Sequence, residues 1–145
     1  MEVQIGNYPR TCGGEREVKI KVDEWDIWSV DETLKLIIHP LLILFKKELS
    51  SYCEVEEGDA LSGLGGLEAW LYVLDRMVEA FDPYGEPCME DYNFTFPDLV
   101  GNGVLSLAPD NPQEYTRYKE DVSVYEEKCK EGLRLFAKYF TGLWS

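Results

Sequence analysis

From Tyr115 to Leu143 the chain places a residue suited to packing at alternating spacings of three and four: Tyr115, Tyr118, Val122, Tyr125, Cys129, Gly132, Phe136, Tyr139 and Leu143. That period puts them all on one side of a helix, and Asn111-Pro112 supplies a cap and a first-turn proline to start it. A seam this long must pack against one or two other helices, so the chain is committed to a helical core. Gly132 allows a close approach within it. The tyrosines argue against a simple coiled coil, because each buried hydroxyl needs a partner.

Two further helices are predicted. Ser29-Val30-Asp31-Glu32 has the form of a capping box, with Ser29 and Glu32 exchanging bonds with each other's amides. The helix it opens carries Leu34, Ile37, Ile38, Leu41, Leu42, Phe45 and Leu49 on one apolar face. Pro40 falls inside it and predicts a bend near Ile37 or a break into two helices. The second helix runs from Leu67 to about Phe81, with Leu67, Trp70, Leu71, Leu74, Met77, Val78 and Phe81 as its stripe, and Asp82-Pro83 ends it.

Val18 to Val22 alternates apolar and basic residues with the period of a half-buried strand. Its partners are expected in Tyr92–Phe96 and Val104–Leu107, and the opening dozen residues read as an irregular arm. The resulting expectation is a mainly α (α+β) fold: a three-helix core with a bent first helix and a small antiparallel sheet. One domain spans residues 1–145, with acidic loops at about 50–66 and 83–111.

Charge is the second constraint. Residues 51 to 114 hold 14 Asp and Glu against Arg76 alone, which is −13 of the formal −14, whereas the flanks are close to neutral. Such a segment repels nucleic acid and anionic lipid and attracts basic surfaces or cations. Neither direct nucleic-acid binding nor membrane association is therefore expected. The longest apolar run, Leu36 to Phe45, is half the length of a membrane span, and the N-terminus lacks the pattern of a secretory signal. An intracellular location follows as an expectation. Cys12, Cys53, Cys88 and Cys129 lie 35 to 41 residues apart, with no close pair for zinc, and are expected as reduced thiols.

Trp25-Asp26-Ile27-Trp28-Ser29-Val30-Asp31-Glu32-Thr33-Leu34, followed by Ile37, Ile38, Pro40 and Leu41, resembles a family of small proteins of tailed bacteriophages. The segments Trp70 to Phe81 and Gly132 to Trp144 look similar as well, and together these cover about half of the chain. This sequence departs from the family pattern at Ile27, where Thr is usual, and at Glu32, where His is expected. The resemblance implies phage origin, hence the host cytoplasm, but no established activity.

No catalytic set stands out. Asp26, Asp31 and Glu32 read as capping residues on a solvated edge, His39 as a core or boundary residue, and Ser29 as a helix cap. The leading expectation is an accessory binding protein that acts without catalysis. Its acidic surface, represented by Glu54, Glu56, Glu57, Asp59, Glu86, Glu90 and Asp91, would engage a basic surface of a host or phage protein and block or redirect it.

Trp25, Asp26 and Trp28 are a candidate pocket, and self-association is expected through the last helix. The leading reading requires no cofactor. One alternative is a metal-dependent nucleotide hydrolase: Glu68, Asp75, Glu79 and Asp82 fall within about 60° on the second helix, and Asp75 and Glu79, joined by Asp26, Asp31 and Glu32 at the first helix start or by carboxylates of the third helix, would hold Mg²⁺. Another is a minor virion or assembly component.

Overall fold

The computed structural model describes residues 1–7, 14–97 and 108–144. In chain order these form strands β1 (Glu2–Ile5) and β2 (Val18–Lys21), a 3₁₀ turn at Glu24–Ile27, and helices α1 (Val30–Lys47) and α2 (Gly66–Ala80). A short 3₁₀ turn at Met89–Asp91, helix α3 (Pro112–Tyr139) and a last 3₁₀ turn at Phe140–Gly142 complete the fold. It is mainly helical with one small antiparallel sheet, as expected. No helix among the described residues is long and apolar enough to cross a membrane.

The core is built around α2. Ala69, Trp70, Val73, Leu74, Met77 and Ala80 are buried along it, against Leu42 of α1 and Leu135 and Tyr139 of α3. Burial on this scale is the main stabilising term, about 1.5–3 kcal/mol for each large side chain removed from water. The α3 seam is spent inside the chain, because it faces α2. A Cβ built on Gly132 would lie 2.3 Å from the Arg76 carbonyl oxygen and 2.4 Å from Cβ of Ala80, so the two helices touch there backbone to side chain. Edge-to-face pairs extend the contact, Trp70 with Tyr139 at 5.7 Å and Phe81 with Phe136 at 4.8 Å between ring centres.

α1 runs unbroken through Pro40, so of the two expected outcomes, a bend or a break, the break into two helices does not occur. The carbonyl deprived of a partner belongs to Leu36, which is largely exposed, and solvent can satisfy it. Ser29 does precede the helix, but its side chain makes no capping bond. Glu32 turns instead to Lys35 at 2.7 Å. The capping box lies one turn earlier, where Asp23 accepts from the amides of the 3₁₀ turn and Asp26 accepts from the Asp23 amide at 2.7 Å.

The sheet pairs different segments from those expected. β1 and β2 are antiparallel, with Val3 opposite Ile20 and Ile5 opposite Val18. The arm read as irregular therefore supplies the partner strand, since Glu2-Val3-Gln4-Ile5 shares the two-residue period of β2. Tyr92–Phe96 is not a strand: its rings pack on Tyr115 and Tyr118 of α3, and Phe94 is buried. Val104–Leu107 lies outside the described residues, as does Cys12. Cys53, Cys88 and Cys129 are free thiols.

Candidate functional site

The first acidic loop, 50–66, is fastened to the C-terminal end of α3 through one carboxylate. Asp59 is 7% exposed and receives Arg134 Nη2 at 2.7 Å, Lys138 Nζ at 2.5 Å and the Tyr139 hydroxyl at 2.7 Å. Burial pushes its pKa upward, but hydrogen bonds from Lys138, Tyr139 and Arg134 outweigh that and hold it at about 2. The same Tyr139 oxygen accepts the Glu56 amide at 2.9 Å, and the Glu56 carboxylate meets Lys138 at 2.6 Å. Of the acids assigned from sequence to a partner, Asp59 is thus a correction: it is a structural anchor, consumed within the fold. Glu56 is exposed but already paired.

The second loop is fastened further up α3. Tyr92 donates to Asp121 at 2.7 Å, which raises the tyrosine's pKa, and its ring packs edge-on against Tyr118. Asp110 accepts from the Thr95 amide at 2.6 Å and the Thr95 hydroxyl at 2.8 Å, while Asn111 Nδ2 donates to the Asn93 carbonyl at 3.0 Å. The Thr95 bonds hold the Asp110 carboxyl below the usual range.

What these anchors leave over is a set of unsatisfied charges. Glu54, Glu57, Glu86, Glu90 and Asp91 are exposed and form no ion pair among the described residues. The cations nearest the first loop, Arg134 and Lys138, are committed to Asp59, Glu56 and Glu131. The two loops attach near Lys138 and near Tyr118, 20 residues apart on one helix, which at 1.5 Å per residue is about 30 Å. They form two acidic sites, with Glu86 between them beside Tyr125.

The carboxylates proposed for a metal are not brought together. Asp75 pairs with Lys46, and Glu79 pairs with Arg76 at 2.7 Å. Glu32 is engaged by Lys35, and Asp26 by the N-terminal ammonium at 3.0 Å. No three His, Cys, Asp or Glu residues among the described residues are grouped to hold a metal ion.

Trp25 and Trp28 lie tilted toward each other with ring centres 5.8 Å apart, and both are largely open to solvent, 70% and 78% exposed. Asp26 serves the local turn, and the Asp23 amide and then the terminal ammonium hold its carboxyl below the usual range. The hollow it borders lies instead between β1 and α1, lined by Met1, Val3, Thr33, Leu36 and Ile37.

One feature escaped the sequence reading. Between α1, the end of α2 and α3 lies a cleft of about 430 Å³ with Leu34, Phe81, Cys129 and Leu133 among its apolar walls. Lys35 stands in it, 2.7 Å from Glu32 and 3.1 Å from the Tyr125 hydroxyl. Desolvation works against its charge, yet Glu32 and Tyr125 outweigh that and raise its pKa. Burial likewise raises that of Tyr125. The only sequence signal was a lone cation in the inward-facing part of α1.

Compared with family models, with curated proteins and with solved structures, the chain matches none.

Proposed function

We propose that this protein is a non-enzymatic binding protein of phage origin, acting in the host cytoplasm on a basic protein surface that it blocks or redirects. The observation that carries this reading is the division of labour among its acids. Asp59, Asp75, Asp110 and Asp121 are each bonded within the fold, whereas Glu54, Glu57, Glu86, Glu90 and Asp91 face solvent without a cation among the described residues. Carboxylates grouped at like charge repel one another and destabilise the free protein, and a basic partner relieves that repulsion. Attraction of this kind raises the association rate and fixes orientation. A surface presenting cations about 30 Å apart would meet both loops at once.

The deciding experiment is affinity purification from infected cells with the bound proteins identified by mass spectrometry, followed by titration of the captured partner at increasing ionic strength. Affinity should fall steeply with salt. An affinity that does not change with ionic strength would refute the mechanism.

A further inference from the structure

α1 is apolar on two sides. Ile38, Leu42 and Phe45 face the core, and roughly opposite them Leu36, Ile43 and Leu44 point to solvent, 60%, 47% and 55% exposed. Pro40 and Lys47 lie between these on the helix, so the outer face is apolar but for one cation, and a helix with two apolar faces normally buries both. The hairpin continues the pattern: the register places Val3, Ile5, Val18 and Ile20 on one face of the sheet, and none of them is buried. The two surfaces adjoin, since Val3, Leu36 and Ile37 line the same hollow. A lone two-stranded hairpin is marginal in water, so its aliphatic face calls for a cover.

We infer that the outer face of α1 together with the aliphatic face of the β1–β2 hairpin is the interface of a homodimer. Two observations choose a second copy over another partner. The first is charge. A self-complementary contact meets its own charge across the axis, and residues 1–50 carry 9 acids and 7 bases, whereas residues 51–114 carry nearly all the net charge.

The second is size. The exposed residues of the two faces, Leu36, Ile43 and Leu44 with Val3, Ile5, Val18 and Ile20, offer on the order of 700 Å², against the ~800 Å² that a standard interface takes from each partner. Leu36 and Leu44 lie equally far on either side of Pro40. Two antiparallel α1 helices crossing near Pro40 therefore set each Leu36 toward the partner's Leu44.

The test is sedimentation equilibrium of the full chain at low and high salt, at concentrations up to on the order of 100 µM. The expected mass is twice the 16.7 kDa of the monomer. The dimer fraction should rise with salt, because salt screens the repulsion between two copies of formal charge −14. Binding to a basic partner changes in the opposite direction, so the two ideas fail separately. L36E combined with L44E should be monomeric, with the helical circular dichroism and melting transition of a folded protein. Should that variant not fold, Ile20→Thr, which changes only the hairpin, must still weaken the dimer at least tenfold. A wild-type chain monomeric at both salt levels overturns the inference, even if another protein is found on this face. So does a dimer that survives both variants.

Discussion

Tyr139 and Asp59 meet at 2.7 Å across 80 residues of sequence, at the centre of the contacts that tie the first acidic loop to the core. Tyr139 is shared between loop and core, since its ring packs against Trp70 while its oxygen also accepts the Glu56 amide. Tyr139→Phe leaves both groups short of a partner and should destabilise by about 1–2 kcal/mol. Asp59→Ala takes one shared acceptor from Arg134, Lys138 and Tyr139 together and should cost about 3 kcal/mol, below a fully buried pair because both cations reach solvent and keep Glu131 and Glu56. Urea unfolding followed by circular dichroism measures both. Equal stability of wild type and Asp59→Ala would remove the anchor from the account.

The same carboxylate sets a pH dependence. Its pKa of about 2 in the folded chain lies below its ordinary 3.8, so its contribution is complete above 3.8 and lost as pH falls through about 2. The stability gap between wild type and Asp59→Asn should therefore narrow across that window and be constant above it. Guanidinium titrations of both proteins at stepped pH read this difference directly.

Gly132→Ala tests the crossing of α2 and α3. The added methyl meets the backbone oxygen of Arg76, which cannot rotate away, so the helices must separate. A loss of about 3 kcal/mol is expected, the upper end for overpacking, despite the better helix propensity of alanine. A melting temperature equal to wild type would mean that the helices cross elsewhere.

Asn111→Ala removes a side chain that accepts the Glu114 amide at 3.3 Å and also donates to the Asn93 carbonyl. A helix cap alone is worth about 1 kcal/mol. Because the second bond pins the loop, amide exchange should quicken in residues 93–96 as well as in the first turn of α3. Faster exchange confined to the helix would separate the two roles.

Neutralising the acids of each loop tests the proposed partner contact. Glu54→Gln with Glu57→Gln, and Glu90→Gln with Asp91→Asn, should each slow association and flatten its salt dependence. Their effects should add, because the loops are anchored about 30 Å apart along α3 while screening acts over about 8 Å at physiological salt. Stopped-flow association with the captured partner gives the rates.

What the sequence disclosed follows the range of each interaction. α2 and α3 were legible because their packing repeats every three or four residues, and Gly132 was legible because it interrupts a seam of larger side chains. The Asn111-Pro112 start was readable for the same local reason. The capping box was placed at Ser29 because Ser-x-x-Glu is the usual pattern, yet Asp23 and Asp26 had the same spacing and won. The strand partner is hidden although Val3 and Ile5 alternate correctly, since nearby Pro9 and the glycines at 13 and 14 point to an irregular arm. Asp59 could not be singled out among its neighbours, because its three partners are 75 to 80 residues away. The Lys35 cleft was hidden in the same way, as its tyrosine lies 90 residues on.

The distance between the loop anchors turns α3 into a caliper. A partner with a single cationic patch gains only one loop's worth of attraction, whereas one with two patches at matching separation binds the second loop as an intramolecular event, at high effective concentration. Selectivity then resides in a length rather than in any side chain. Lengthening or shortening α3 would retune the choice of partner while every carboxylate stayed in place.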